Sequence, residues 1–272
     1  MSDLSGKVAL ITGAARGQGR AHARKLASEG AAIIALDLCG ALPKSVRYRS
    51  ATRADLDETV DLVEGLGRRV IPIVADVREF DALKASVDRA VDELGGLDIV
   101  VANAGIAVVT EWDKVTPEAF RDTIDTNLVG VWNTVMVGAP HLQRRSGGSI
   151  VLASSAAGLR VQPFMVDYVA SKYAVTGMAK AFAAELAKDN IRVNSIHPTG
   201  VNTDMATDPS VQEVFSGAIE RNPRPASLFT NMLDVALVEP GDVANTVSYL
   251  VSEEARFITG HAMTIDAGIT LH

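Results

Sequence analysis

The sequence contains only one cysteine, Cys39, in 272 residues. A single thiol can form neither an intrachain disulfide nor a metal site built from several thiolates. The histidines also lack the short spacing of metal ligands; they are His22, His141, His197, His261 and His272. We therefore expect no bound metal, and we expect Cys39 to be a small packing residue near the end of a strand.

Long apolar runs and basic clusters are absent as well. No stretch of about eighteen apolar residues occurs, and the first residues, MSDLSGKVAL, do not join a basic segment to a long apolar one. These features predict a cytoplasmic protein without a membrane-spanning segment. The 33 acidic residues outnumber the 26 basic ones and give a net charge of −7, which argues against nucleic acid or an anionic membrane as the main partner.

What the sequence does contain is an alternation of short β-branched, apolar segments with longer segments of helical period. Strands are predicted at 8–12, 32–36, 70–74, 97–102, 149–154, 192–196 and 262–265. Helices are predicted near 17–29, 52–66, 79–94, 116–140, 164–188 and 240–252. Strands separated by helices imply right-handed crossovers and a parallel sheet covered on both faces. The predicted fold class is therefore α/β, with a doubly wound seven-stranded sheet in a single domain over 1–272.

Two connections are longer than usual for such a fold, at 38–51 and 202–239. Both follow strands at their carboxyl ends, where open α/β sheets bind ligands. We expect 202–239 to enclose a substrate, whereas 38–51 is equally compatible with a cofactor role and with a plain insertion. Apolar residues that either line a substrate pocket or form ordinary core and subunit contacts are Trp112, Phe164, Met165, Val166, Met205, Phe229 and Met232.

A glycine-rich turn follows the first predicted strand and precedes the first helix. It reads TGAARGQG and contains Gly13, Arg16, Gly17, Gln18 and Gly19. Such a turn lets the backbone approach a pyrophosphate and directs free helical N–H groups towards it. Glycines also serve turns and caps for purely conformational reasons, but the position after the first strand favours a dinucleotide site.

An acidic residue, Asp37, ends the second predicted strand. A carboxylate there can accept the adenosine ribose hydroxyls and repels a 2′-phosphate, which favours NAD over NADP. Arg16 argues mildly for NADP, but Leu38 supplies no second cation. Polar residues and turns at the same sheet edge, which could also be plain turns, are Asp76, Val77, Asn103, Ala104 and Gly105.

Three residues form a candidate catalytic group. Tyr168 and Lys172 are four apart in a predicted helix and so share one face, and Ser155 precedes Tyr168 by thirteen residues. A phenol titrates near ~10 in water, and a neighbouring ammonium group favours the phenolate. Tyr168 could then act as a general base. Taken alone, the same spacing is typical of an ordinary helix face, and Ser155 could simply bond to backbone.

The ordered combination of these motifs resembles the short-chain dehydrogenase/reductase family over essentially the whole chain. The matching segments are TGAARGQG, Asp76-Val77, NAG at 103–105, Asn127, Ser155, YVASK at 168–172 and HPTGVNT at 197–203. The resemblance implies a Rossmann-type core, a homotetramer and a catalytic tetrad of Asn127, Ser155, Tyr168 and Lys172. It further implies that Lys172 holds the nicotinamide ribose and that Asn127 holds a water linking Lys172 to solvent.

One motif departs from the family pattern, because the usual proline-glycine after the sixth strand reads Pro198-Thr199 here. The resemblance still places Val201 and Thr203 at the nicotinamide carboxamide and Pro198 beside them. The path of this loop is the open question.

Within the family, the 38–51 insertion, HPTGVNTDM and the long 202–239 region look like the carveol-dehydrogenase-type, mycofactocin-associated branch. This resemblance implies NAD that is tightly bound and a second redox carrier. The predicted function is an NAD-dependent interconversion of a secondary alcohol, cyclic or terpenoid as in carveol, and its ketone. The alternatives are a 3-oxoacyl-thioester reductase, which Asp37 and the acidic composition disfavour, and a catalytically silent NAD-binding redox sensor.

Overall fold

The apolar segments form one parallel sheet of seven strands, as predicted. The structure is a computed structural model and describes residues 3–271, so the expectations for Met1, Ser2 and His272 lie outside the described residues. The strands are β1 (Val8–Thr12), β2 (Ala32–Asp37), β3 (Val70–Val74), β4 (Ile99–Ala102), β5 (Gly148–Ala153), β6 (Ile191–Pro198) and β7 (Ala262–Ile265). Their order is β3-β2-β1-β4-β5-β6-β7, which is the doubly wound arrangement.

Helices cover both faces of this sheet. They are α1 (Gly17–Ser28), α2 (Arg53–Glu64), α3 (Phe80–Leu94), α4 (Pro117–Ile124), α5 (Gly130–Arg144), α6 (Val166–Leu186), α7 (Asp204–Thr207), α8 (Pro209–Arg221) and α9 (Pro240–Val251). Side chains alternate along β1, so Val8 and Leu10 pack with α3, α5 and α6, whereas Ala9 and Ile11 pack with α1, α2 and α9. The sheet is therefore buried between two apolar cores.

The prediction of a single helix over 116–140 is wrong in two respects. A π-helical turn, Asp125–Val129, separates α4 from α5, and α5 continues past Pro140 to Arg144. A proline normally interrupts a helix because it lacks an N–H group. Here the last turn is retained by packing, since Leu142 is fully buried and His141 nearly so.

The region 202–239, which the sequence predicted as a long connection, contains α7, α8 and a short 3-10 segment, Arg224–Phe229. Pro209 occupies the first turn of α8, and the Asp208 side chain accepts a hydrogen bond from the backbone N–H of Ser210 at 2.9 Å. A proline in this position starts a helix rather than preventing one. The strand predicted over 97–102 also begins later, at Ile99.

No helix in residues 3–271 has both the length and the apolar composition that crossing a membrane requires. Within the same residues, no three His, Cys, Asp or Glu side chains form a group that could hold a metal ion. Cys39 is partly buried, and burial raises the pKa of its thiol to about 11. The thiol is therefore protonated near neutral pH.

Candidate active site

A cleft of about 390 Å³ lies at the carboxyl ends of the strands. The predicted cofactor residues that line it are Gly13, Arg16, Gly17, Gln18, Gly19, Asp37, Asp76, Val77, Asn103, Ala104, Gly105 and Thr203. This volume is within the range of small-molecule sites, about 300–1,000 Å³. The fold thus brings together residues that are separated by up to almost two hundred positions in the sequence.

The glycine turn forms the tightest part of the cleft. Gly13 and Gly17 have φ values of 69° and 53°, a left-handed conformation that favours glycine. A Cβ atom on Gly19 would lie 1.9 Å from the carbonyl oxygen of Gly13, so no larger residue fits there. The backbone can therefore approach a bound group without obstruction by side chains.

The start of α1 presents unpaired polar groups to the cleft. Its N-cap residue, Arg16, makes no capping hydrogen bond through its side chain. The side-chain oxygen of Gln18 is buried and has no partner within the described chain. Free N–H groups and the positive end of the helix dipole favour an anionic group. These features fit the pyrophosphate of a dinucleotide.

Asp37 is buried at the end of β2, and both of its carboxylate oxygens accept backbone hydrogen bonds. One accepts from Ala15 N at 3.0 Å and the other from Cys39 N at 3.2 Å. Each oxygen retains capacity for another donor. The carboxylate therefore braces the glycine turn and can also receive ribose hydroxyls.

The remaining polar residues at this edge have structural partners. Asp76 is held by Arg78, whose Nη2 lies 2.6 Å from Asp76 Oδ2. Burial raises the pKa of Asp76, but hydrogen bonds from Arg78 outweigh this effect and hold it below its ordinary value. The side chain of Asn103 donates to the carbonyl of Thr12 at 2.9 Å and so ties the ends of β1 and β4 together. This bond spans 91 positions of the sequence, so the side chain of Asn103 connects two strand ends rather than stabilising a local turn.

A group of four charged residues, which we call the clasp, closes the outer side of the cleft. It consists of Arg16, Arg49, Asp55 and Asp204. Asp204 Oδ2 lies 2.5 Å from Arg16 Nη1 and 3.0 Å from Arg49 Nε. Arg49 also grips both carboxylate oxygens of Asp55, at 2.8 and 3.0 Å. The clasp joins the glycine turn, the 38–51 segment and α7, and it compensates the charge of Arg16 internally.

The predicted catalytic residues gather at the opposite end of the cleft from Asp37. Lys172 is buried, and its Nζ donates to the carbonyl of Ala153 at 2.7 Å and lies 5.4 Å from the centre of the Tyr168 ring. A Cβ atom on Gly105, which lines the cleft, would lie 3.7 Å from the same Nζ. The cleft and the Tyr168–Lys172 pair therefore adjoin.

Burial dominates the protonation of this pair in the protein alone. It raises the pKa of Tyr168, and a hydrogen bond with Ser155 opposes the shift only in part. Burial also lowers the pKa of Lys172 to about 8. The shift of Tyr168 is opposite to the one that a base requires, so a further positive charge beside it is needed to favour the phenolate.

Asn127 lies in the π-helical turn between α4 and α5 and is fully buried. Its side chain exchanges two hydrogen bonds with the backbone of Ile106, each 2.8 Å long, and donates to Ser171 Oγ at 3.2 Å. These partners belong to a distant loop and to α6 and not to the turn that precedes Asn127. Asn127 instead connects the β4 loop to helix α6, which carries Tyr168 and Lys172.

The loop after β6 has a defined path despite its departure from the family pattern. Pro198 ends β6, and Thr199 N donates to the carbonyl of Ile265 at 3.1 Å. Val201 is buried and pairs with Val238 as an isolated parallel bridge. Thr203 lines the cleft, but Pro198 and Val201 do not.

Several segments contribute to an apolar cluster that includes Phe164 and Met165, the two residues directly before α6. Phe229 stacks on Phe164, with ring centres 6.5 Å apart, and meets Phe215 edge to face at 4.7 Å. Met165 and Met205 pack against the same cluster. Three of the apolar residues named from the sequence are largely exposed and so do not belong to the core: Trp112 (81%), Val166 (52%) and Met232 (52%).

Sequence reasoning missed Tyr48 in the 38–51 segment. Its ring is buried, its hydroxyl accepts from Ala107 N at 3.2 Å, and the guanidinium of Arg16 lies 5.7 Å from its centre. The available signal was that Tyr48 is the one aromatic residue in the insertion at 38–51. Arg49 and Asp204 gave no comparable signal, because an exposed charge in a loop is usually only solvated.

Comparisons with known proteins extend over the whole chain. The profile of the short chain dehydrogenase family matches residues 7–213. A (−)-trans-carveol dehydrogenase of Rhodococcus erythropolis is 49% identical over 277 residues, covering 100% of each protein. A crystal structure of a short chain dehydrogenase from Mycobacterium paratuberculosis bound to NAD has a TM-score of 0.97 at 52% identity, covering 99% of this chain and 100% of that one. A crystal structure of carveol dehydrogenase from Mycobacterium avium in complex with NAD has a TM-score of 0.94 at 44% identity, covering 100% of both chains.

Proposed function

The chain belongs to the short-chain dehydrogenase/reductase family, and on that premise we propose that it interconverts a secondary alcohol and its ketone with NAD as cofactor. The observation that carries this proposal is the junction of a dinucleotide-shaped cleft with Ser155, Tyr168 and Lys172. The predictions of the family, of the NAD-dependent enzyme class and of the cofactor are confirmed. The alcohol and the roles of individual residues are the proposed part.

In this proposal the glycine turn and the start of α1 hold the pyrophosphate, and Asp37 holds the adenosine ribose. Asp76 and Val77 flank the adenine, and Asn103, Ala104 and Gly105 pass beneath the middle of the cofactor. Pro198, Val201 and Thr203 border the nicotinamide, with Thr203 closest because it lines the cleft. Bound NAD supplies the chemistry of hydride transfer to or from carbon.

Tyr168 moves the proton between the substrate oxygen and the protein. A unit charge about 4 Å away is worth roughly 4 kcal/mol at an effective dielectric near 20, or about three pKa units at about 1.4 kcal/mol each. Lys172 and a positive charge bound at the end of the cleft near Gly105 therefore both lower the pKa of Tyr168. They favour the phenolate, which is the form that accepts the proton in alcohol oxidation. In ketone reduction the neutral phenol, which burial already favours, donates its proton.

The other two members of the tetrad have supporting roles. Ser155 hydrogen-bonds the substrate oxygen and holds it beside Tyr168. Lys172 holds the nicotinamide ribose. Asn127 positions the β4 loop against α6 and holds a water that links Lys172 to solvent.

The first experiment is a panel of secondary alcohols with NAD and an artificial electron acceptor, comparing the native protein with Tyr168→Phe. We expect the substitution to abolish turnover while NAD binding, measured by calorimetry, is nearly unchanged. If Tyr168→Phe retains more than a few per cent of the native rate, Tyr168 is not the acid/base. If the native protein turns over no alcohol or ketone, the silent redox sensor becomes the better description.

The substrate is a cyclic or terpenoid secondary alcohol, as in carveol. Support comes from the name of the Rhodococcus relative and from the aromatic cluster of Phe164, Phe215 and Phe229, in which Phe164 lies just before the helix that carries Tyr168. Apolar walls bind such rings through burial. In the same panel, cyclic alcohols should give a higher kcat/KM than linear alcohols of equal carbon number.

We further propose that NAD is retained between turnovers and is reoxidised by a second redox carrier, such as mycofactocin. The clasp supports this proposal because it bridges the cleft from three sides. Native protein should retain NAD through purification, and denaturing the purified protein should release the nucleotide in near-stoichiometric amount. An empty protein that turns over freely with added NAD would contradict retention, and equal kcat/KM with NAD and NADP would contradict selection by Asp37.

The final part of the proposal is a homotetramer. Val129, Trp132 and Met136 lie one turn apart on one face of the α5 region and are about two-fifths exposed, and Phe120 of α4 is exposed to the same extent. Exposed apolar faces of this kind mark subunit contacts. Light scattering should give about four times the 28.7 kDa of the chain, and Trp132→Glu should reduce this mass.

A further inference from the structure

The ladder between β5 and β6 ends just before the candidate catalytic serine. The last strand pair is Ala153 with Ile196, and Ser154 N still donates to the carbonyl of Ile196 at 3.0 Å. Ser155 lies beyond this ladder. Its position therefore depends on contacts other than regular strand pairing.

A histidine side chain supplies the missing contact. His197 of β6 is fully buried, and its Nδ1 lies 2.8 Å from the backbone carbonyl oxygen of Ser155. Its Nε2 lies 2.8 Å from the hydroxyl oxygen of Ser195. A carbonyl oxygen can only accept, so Nδ1 must carry the proton, and Nε2 must then accept from the Ser195 hydroxyl. The two contacts fix one tautomer of the imidazole.

The environment keeps this imidazole neutral. Burial lowers the pKa of His197 to about 4, and the charged or titratable groups that act on it are Lys172, Lys180 and His261. No carboxylate contributes to that set, and burial outweighs the hydrogen bond to the Ser155 carbonyl, which alone favours the imidazolium. Near neutral pH His197 is a fixed donor to Ser155.

The carbonyl of Ser155 is held from two directions. Gly158 N donates to it at 2.8 Å from the following 3-10 turn, and His197 donates from β6. The Ser155 hydroxyl oxygen accepts from Ala157 N at 3.1 Å, which leaves its proton and one lone pair for other partners. Fixing the peptide plane after Ser155 restricts where its hydroxyl can lie, because φ and ψ are the only soft backbone dihedrals.

We propose that His197 is a positioning residue for the reaction: Ser195 sets its tautomer, and its Nδ1–H holds the Ser155 backbone so that the serine hydroxyl faces Tyr168. This inference rests on the proposed function of Ser155. His197 does not line the cleft, and the member of the tetrad to which it is hydrogen-bonded is Ser155, so we expect its effect to be transmitted through Ser155.

Two substitutions test the hydrogen bond of His197 to Ser155 separately from its hydrogen bond to Ser195. In His197→Asn the side-chain amide can occupy the position of Nδ1 and still donate to Ser155. In His197→Gln the amide lies near the position of Nε2 and retains only the hydrogen bond with Ser195. We expect His197→Asn to keep kcat within about threefold of the native value and His197→Gln to lower it tenfold or more, since small displacements of reacting groups are costly. The affinity for NAD should change less than twofold in both. Equal losses of kcat in both variants, following their melting temperatures, would overturn the proposal.

A measurement on the native protein is independent of turnover. In a long-range ¹H–¹⁵N spectrum, assigned by the loss of its signals in His197→Asn, the ring of His197 should show the neutral Nδ1–H tautomer between pH 6 and 8. An Nε2–H tautomer or an imidazolium would overturn the proposed role of His197 even if the enzyme is active. Failure to find any alcohol substrate would instead overturn the proposed function and leave this spectroscopic result standing.

Discussion

The two sides of the cleft are constructed differently. One side, which we call the floor, is held together by backbone contacts and buried side chains. It consists of residues 13–19, Asp37, Asp76–Val77 and Asn103–Gly105. The other side, which we call the cover, consists of residues 38–51 and 202–239. It is held by aromatic contacts and by ion pairs between exposed side chains, since Arg49 is 52% exposed and Asp204 41%. Exposed ion pairs contribute little individually. The cover can therefore open without unfolding the sheet, whereas the floor cannot move alone.

The largest effect should come from adding one methyl group to the floor. Gly19→Ala would place a Cβ 1.9 Å from the carbonyl oxygen of Gly13, and backbone must move to relieve that contact. We expect NAD affinity, measured by calorimetry, to fall at least a hundredfold. Gly241→Ala is the matched control, because that glycine lies in α9 with no atom within 4 Å of the added carbon. Near-native NAD affinity in Gly19→Ala would show that the floor is not rigid.

A second effect concerns the stability of the floor as pH falls. His22 of α1 is fully buried with both ring nitrogens unpartnered within the described chain, and burial lowers its pKa to about 4. The neutral form is favoured in the folded state, so its contribution is present above the unfolded pKa near ~6.5 and is lost as pH falls towards 4. The loss is at most about 3 kcal/mol.

Urea unfolding of native protein and of His22→Leu between pH 7.5 and 4.5 tests this prediction. The leucine variant should have a flatter dependence of unfolding free energy on pH, because the unfolded histidine no longer takes up a proton. His197 contributes in the same direction in both proteins, since its pKa is also lowered to about 4. Parallel curves for the two proteins would exclude His22 as a source of the slope.

The smallest effect should come from the cover. Asp204→Asn weakens two ion pairs of the clasp, with Arg16 and Arg49. At about 0.2–1 kcal/mol for each of the two pairs, we expect NAD release, followed as the exchange of bound NAD for labelled NAD, to accelerate between about twofold and thirtyfold. Added salt should accelerate release from native protein and change the variant less.

Arg53→Ala is the matched control for the clasp, because it breaks an exposed pair with Asp57 that lies within α2. Its NAD release should equal that of native protein. If Arg53→Ala accelerates release as much as Asp204→Asn does, the clasp has no special role and the cover is held by its aromatic contacts.

The sequence predicted the floor far better than the cover, for physical reasons. TGAARGQG and Asp37 could be placed because periodicity predicts the strands that they follow or end, and the carboxyl ends of parallel strands meet at one edge of the sheet. The cover depends on partners distant in sequence: Arg49 meets Asp204 only because both follow strands that end at the same edge. Pro209 illustrates the ambiguity, since proline both breaks helices and starts them.

The catalytic end lies between these extremes. The spacing of Tyr168 and Lys172 predicted their common face, but not the raised pKa of Tyr168, which follows from burial that no local pattern contains. The tie between Asn127 and Ile106 was likewise not predictable, because it joins a π-helical turn to a loop. The exposure of Trp112 shows the same limit, since an apolar residue in a loop can face either way.

The two backbone hydrogen bonds that Asp37 accepts affect any attempt to redesign this protein for NADP. The carboxylate that would repel a 2′-phosphate also anchors Ala15 N and Cys39 N. Exchanging it for a cation would leave two donors without their acceptor and relax the very turn that must grip the dinucleotide. A successful redesign would need a short polar residue such as serine at this position, with the new positive charge introduced from a neighbour.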